Sequence, residues 1–131
     1  MIREEALRWF GEGESDISTA NILLENNKYN PSAFYSQQAA EKILKAVLLA
    51  HNEASWGHSV LSLLRRLAEI IDVGINEIEP CAKELDRHYI PSRYPDAYPS
   101  GKPEDYYTEK IAKEALSCAQ KIKEYAQNLM K

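Results

Sequence analysis

The sequence predicts an all-α protein: an antiparallel, up-and-down bundle of about five helices forming a single domain over residues 1–131. Three observations carry that expectation. Apolar residues recur at steps of three and four along most of the chain, the spacing of a buried helix face. Glycine is scarce, five in 131 residues, where an all-β chain with many tight turns needs more. The apolar segments are joined mostly by short polar connections, which suit antiparallel neighbours.

The first helix is expected over about residues 2 to 26, with Phe10, Gly13, Ile17, Ala20 and Leu24 on one face. Gly11 and Gly13 weaken it locally and leave room for a neighbour to approach. A polar turn from Asn26 leads to Asn30 as N-cap and Pro31 in the first turn of a second helix, which runs to about His51. Phe34, Ala39, Ala40, Ile43, Leu44, Val47 and Leu48 form its buried stripe. Gln37, Gln38, Glu41, Lys42 and Lys45 form its polar side, with Glu41 and Lys45 in the favourable i, i+4 order. Ser59 starts the third helix, which Asp72-Val73-Gly74 ends. Asn76 is the expected N-cap of a fourth, with Pro80 tolerated near its first turn. After Tyr89 the periodicity stops. Pro91, Pro95, Pro99 and Pro103 forbid a helix and bias their neighbours to extended backbone. A long Pro/Tyr-rich loop therefore precedes the last helix, which is expected to start between Pro103 and Tyr106 and run to the C-terminus.

Several function classes are excluded or disfavoured. Sixteen Lys+Arg against twenty Asp+Glu give a net charge of −4, a poor balance for coating duplex nucleic acid. No apolar run approaches the ~20 residues of a membrane span. The opening residues Met1 to Glu5 carry acids rather than the apolar core of a secretion signal, so a cytoplasmic location is expected. Cys81 and Cys118 lie far apart in sequence and read as small apolar residues, with no zinc or other metal site and no disulfide framework. No glycine-rich phosphate cradle and no Gly-x-Ser-x-Gly elbow is present, and no cofactor is implied.

The composition does carry one local excess. Tyr89, Tyr94, Tyr98, Tyr106 and Tyr107 crowd into the Pro-rich segment, around Arg93-Tyr94-Pro95-Asp96. Arginine offers a planar fork for phosphate, and tyrosine a stacking face with a polar tip, the pair of features that a nucleotide needs. The competing reading pairs Arg93 with a carboxylate such as Asp96 and uses the tyrosines to cover the core. Lys42 and Lys45 would complete an anion site or remain solvated helix charges. Gln38 is placed to hydrogen-bond the loop or a second subunit. His58 is expected to cap the third helix or hold the loop before it. His88, beside Arg87, faces a helix C-terminus or lines a cleft near Arg93. His51 reads as a helix-end residue, and Trp9 and Trp56 as packing, dimer or stacking surfaces.

The run from Tyr29 to Leu49, with Gln38-Ala39-Ala40-Glu41-Lys42-Ile43-Leu44-Lys45-Ala46 at its centre, resembles the prokaryotic HEPN domain family. Gly57-His58-Ser59 and Tyr89-Ile90-Pro91-Ser92-Arg93-Tyr94-Pro95-Asp96-Ala97 follow in the family's order, so the resemblance spans essentially the whole chain. It implies a helical bundle that dimerises and is often encoded beside a small nucleotidyltransferase, in toxin–antitoxin-type pairs. The family also includes metal-independent ribonucleases, whose motif is an Arg followed after four to six residues by a His. That motif is absent here. The residues five to seven positions before His51, His58 and His88 are Leu44, Lys45 and Ala46; His51, Asn52 and Glu53; and Cys81, Ala82 and Lys83. The resemblance therefore favours a non-catalytic accessory protein that binds a nucleotide, a nucleic-acid end or a partner nucleotidyltransferase. Arg93, Tyr94, Asp96, Arg87, His88, Lys42 and Gln38 are its candidate binding residues, and none is assigned a catalytic role. The alternatives are a ribonuclease with a non-standard set such as Arg87, His88 and Arg93, or a purely structural dimerisation module.

Overall fold

A computed structural model describes residues 3–130, and the described residues contain no strand. Six α-helices follow in order: α1 (Glu4–Glu25), α2 (Tyr29–Ala50), α3 (Val60–Ile71), α4 (Glu79–Asp86), α5 (Pro103–Tyr106) and α6 (Glu109–Leu129). A 3₁₀ turn at Pro95–Ala97 lies in the Pro-rich segment. The expected starting point of the first helix, residue 2, is outside the described residues. No helix among them is long and apolar enough to cross a membrane.

The centre of the bundle is α2, which packs against α1, α3, α4 and α6. Ile43, Leu44, Val47 and Leu48 are wholly buried. Because neighbours surround it, its expected polar side is not a solvated face. Gln37, Glu41 and Lys45 are 0, 5 and 8% exposed. Lys42 is drawn to the α1 side, where its Nζ donates to the buried Asp16 at 2.6 Å. Amphipathic spacing shows which face is apolar, but it cannot show that the opposite face will also be covered.

Close approach of α1 and α2 depends on Gly13. A Cβ there would lie 2.6 Å from Ile43 Cγ1 and 3.1 Å from the Ala39 carbonyl oxygen, whereas one at Gly11 would meet nothing. Gly11→Ala is expected to raise stability by about 0.5–1 kcal/mol through helix propensity. Gly13→Ala lowers it by about 1 kcal/mol or more through overpacking. Opposite shifts in urea midpoint test the pair.

Both long N-terminal helices end on asparagines in left-handed backbone. Asn27 has φ 61° and Asn52 φ 60°. The amide after each reaches back to the third-last helical carbonyl, Lys28 to Leu23 at 2.8 Å and Glu53 to Leu48 at 2.9 Å. These bonds close Schellman motifs with asparagine where glycine is commoner.

Three expected boundaries need correction. Helix α2 begins at Tyr29, so Asn30 is not its N-cap. Instead, Asn30 Nδ2 donates to the Ser92 carbonyl at 3.1 Å and ties α2 to the Pro-rich segment. Asn76 is not the N-cap of α4. It lies in a turn closed by the Ile78 and Glu79 amides on the Ile75 carbonyl, and the helix starts only after that turn, at Glu79 with Ile78 as N-cap. The last helix is two. Tyr107 and Thr108 are extended between α5 and α6, where Tyr107 is buried and the Thr108 hydroxyl caps Ile111 N at 3.2 Å.

Ser59 caps α3 as expected, its Oγ accepting from Ser62 N at 3.1 Å. A second cap comes from α4. The Asp86 carboxylate accepts from Val60 N (2.6 Å), Leu61 N (3.2 Å) and Ser59 Oγ (2.8 Å). This fixes the end of α4, from which the Pro-rich segment departs.

Candidate functional site

The Pro-rich segment is ordered by local bonds. The Arg93 and Tyr94 amides turn back to the Ile90 carbonyl, and the Ser92 hydroxyl donates to the His88 carbonyl. This geometry carries Arg93 over the N-terminal part of α2. Its guanidinium carbon lies 4.4 Å from the Phe34 ring centre and 4.8 Å from those of Tyr89 and Tyr94. Arg93 Nε donates to the Tyr89 carbonyl at 2.9 Å. Among the described residues no carboxylate approaches the Arg93 nitrogens within ion-pair distance, and Asp96 is not its partner. Aromatic rings shield the group while the outer edge of the fork keeps its N–H donors, with only a loose 3.4 Å contact from Nη1 to the Tyr94 hydroxyl.

The aromatic patch continues from Tyr89. Its ring stacks on His58 with centroids 4.7 Å apart and planes 16° from parallel. His58 Nδ1 lies 3.2 Å from Glu41 Oε1, and its side chain is 59% exposed. With Nδ1–H donating to the carboxylate, Nε2 is left as an acceptor on the open side. Glu41 is buried and also accepts from Lys45 Nζ (3.1 Å) and Gln37 Nε2 (3.3 Å). Gln37 in turn donates to the His58 carbonyl at 2.9 Å, fixing the loop before α3. Gln38 lies alongside, half-buried, donating to Gln37 Oε1 at 2.7 Å.

The candidate residues therefore divide into three places. Arg93 and Tyr94 belong together, with Gln38 on the adjoining turn of α2, while Asp96 is exposed in the 3₁₀ turn that follows them. Arg87 and His88 line a separate cavity of about 380 Å³ with the stacked rings of Tyr98 and Tyr106 and with Tyr107. Lys42 lines a third hollow with Arg8 and Trp9 and is occupied by Asp16. Phe34, Tyr89, His58 and Glu41 adjoin Arg93 or its aromatic neighbours, although the sequence placed Phe34 in the buried stripe, Glu41 on the polar side of the second helix and His58 at the start of the third, and did not count them among the binding residues. Tyr89 had a signal, four positions before Arg93. His51 does more than end a helix, since its Nε2 contacts the Leu129 carbonyl at 3.1 Å.

His88 is 5% exposed, and both ring nitrogens are taken, Nδ1 by the Tyr107 hydroxyl (2.7 Å) and Nε2 by Glu84 (2.9 Å). Burial disfavours its charged form and holds it below its ordinary value of 6.5, against the pull of Glu84. A depressed folded pKa contributes stability above the unfolded value, which is lost as pH falls through the folded value. Thermal unfolding followed by circular dichroism should show Tm falling below about pH 6.5, and His88→Gln should flatten that fall. The Tyr107 hydroxyl is pushed up, first by burial.

No group of three or more His, Cys, Asp or Glu among the described residues is placed to hold a metal ion. The comparisons with known proteins agree with the order of elements. A model of the HEPN domain matches residues 6–129. The chain belongs to the HEPN domain family. A relative in Methanocaldococcus jannaschii, provisionally named a toxin (MJ1304), is 30% identical over 128 residues, covering 90% of this chain and 83% of its own. The crystal structure of TT1696 from Thermus thermophilus superposes with a TM-score of 0.92 at 39% identity, over 97% of this chain and 99% of that one. The archaeal HEPN homologue ST0689 gives 0.81 at 35% identity over the full length of both chains. A HEPN domain protein of Thermotoga maritima, tm0613, gives 0.75 at 33% identity, over 93% of this chain and 96% of that one.

Proposed function

We propose that this HEPN protein is a dimeric, non-catalytic accessory protein that binds the phosphate of a nucleotide or nucleic-acid end on Arg93. A small nucleotidyltransferase is its partner in a toxin–antitoxin-type pair in the cytoplasm. The observation that carries the reading is the Arg93 guanidinium, set among Phe34, Tyr89 and Tyr94 without a carboxylate partner. An arginine used only for stability is expected to pair with an acid, as Arg3 does with Glu5 at 2.7 Å. Here the fork remains open for an anion, and the neighbouring ring faces suit a base. The toxin-type name of the Methanocaldococcus relative supports a toxin-type setting for the protein. Titration with ATP and with a 5′-phosphorylated RNA oligonucleotide tests it. Loss of one charge-assisted fork is worth about 1.5–3 kcal/mol, so Arg93→Ala should weaken binding by about 10–100-fold. Unchanged affinities in a folded variant exclude the assignment.

A second reading, metal-independent ribonuclease, is favoured by one observation: exposed His58 is backed by buried Glu41 and lies on the same patch as Arg93. It replaces Arg87 and His88, since both ring nitrogens of His88 are held by Tyr107 and Glu84. RNA cleavage that survives chelator and is lost in His58→Ala would establish it over the accessory reading.

A further inference from the structure

The two cysteines, 37 positions apart in sequence, line the same groove of the fold. Cys81 lies on α4 and Cys118 on α6, two helices that pack against each other. Cys81 is buried at 8% exposure, while Cys118 is half-buried. Both line an open groove of about 410 Å³ with Pro80, Ser117 and Lys121. The pair thus has a path for a small reagent, unlike thiols sealed in a core. The function proposed for Arg93 makes no use of it.

We propose that Cys81 and Cys118 are a redox pair that a hydroperoxide converts to an intramolecular disulfide, clamping α4 to α6. The more open Cys118 sulfur attacks the hydroperoxide, forming an S–O bond as the O–O bond breaks. The alcohol, or water when the oxidant is hydrogen peroxide, leaves with the thiol proton. The Cys81 sulfur then attacks the sulfenic sulfur of Cys118. The S–S bond forms, the S–O bond breaks, and water leaves with the second thiol proton. Two thiols and one hydroperoxide give one disulfide, one alcohol and one water, with two electrons passing to the peroxide.

Burial, and next the neighbouring Cys81 thiol, push Cys118 up to about 12, against the pull of Lys121. The thiolate is therefore scarce at neutral pH, and the rate climbs about tenfold per pH unit. The clamp joins α4, which leads directly into the Tyr89–Arg93 segment, to the longest C-terminal element. Closing the chain between residues 81 and 118 restricts the unfolded state, so the oxidised protein should melt about 10 °C higher than the reduced one.

The test treats the reduced, full-length protein with hydrogen peroxide at several pH values and follows intact mass and free thiols. The expected product is a monomer about 2 Da lighter, with no free thiol and a peptide linking residues 81 and 118. It returns to the starting mass and Tm with dithiothreitol, and Cys81→Ser prevents it. Overoxidation of Cys118 with Cys81 still reduced, a disulfide only between chains, or no reaction at alkaline pH would each overturn the proposal. The wild-type mass decides the matter even if the serine variant does not fold.

Discussion

Asp86→Ala lowers the unfolding free energy by about 2–4 kcal/mol, since it removes a charged acceptor from partly buried donors at a helix N-terminus. The Asp86 carboxylate accepts from the Val60 and Leu61 amides and from Ser59 Oγ. The helix dipole of α3 adds to these bonds. Ser59 Oγ still caps Ser62 N in the variant, so the loss is specific to the interhelix bond. Asp86→Asn keeps an acceptor but not the charge and should lie between the two. Urea unfolding measures both: the midpoint falls with the slope unchanged. A loss below about 0.5 kcal/mol would mean that water replaces Asp86 and that α4 is not anchored there.

Lys45→Met costs about 3–5 kcal/mol, for a different reason. Lys45 and Glu41 are 8 and 5% exposed and 3.1 Å apart. Removing the lysine leaves the Glu41 carboxylate buried beside Gln37 and His58 without its full counter-charge. The double variant Glu41→Met, Lys45→Met removes both charges and should recover most of the loss, because buried ion pairs often add little over apolar replacements. It also frees His58 from Glu41, so its unfolding midpoint and the orientation of His58 separate. A single-variant cost under about 1 kcal/mol, or a double variant no better than the single, would show that the pair is solvated rather than buried.

The sequence was most legible where neighbouring residues interact with one another. The stripe Ile43, Leu44, Val47 and Leu48, the Ser59 cap and the end of α3 at Asp72 are local patterns, and the structure has them. It was least legible where a partner comes from another element. Nothing near Asp86 announces that it will cap a helix whose amides lie 25 and 26 residues earlier. Asn30 looked like a cap because its neighbour is proline, but its amide is claimed by Ser92 across the bundle. Lys42 looked solvated because a lysine on a helix usually is, yet a buried Asp16 waits on α1. For the candidate site, residue chemistry pointed to Arg93 and Tyr94. Their juxtaposition with Phe34, Tyr89 and His58 depends on how the Pro-rich segment crosses α2, which no local pattern encodes. Arg87 and His88 failed as companions because helix α4 turns them toward Tyr107 and away from that patch.

Calorimetric titration of ATP into the wild type and Arg93→Ala tests the central assignment most directly, with Asp96→Ala as a control. Arg93 is open and Asp96 is not its partner, so wild type and Asp96→Ala should bind alike while Arg93→Ala loses about 10–100-fold. Equal binding by all three folded proteins, or no binding by the wild type to ATP or to 5′-phosphorylated RNA, would contradict it.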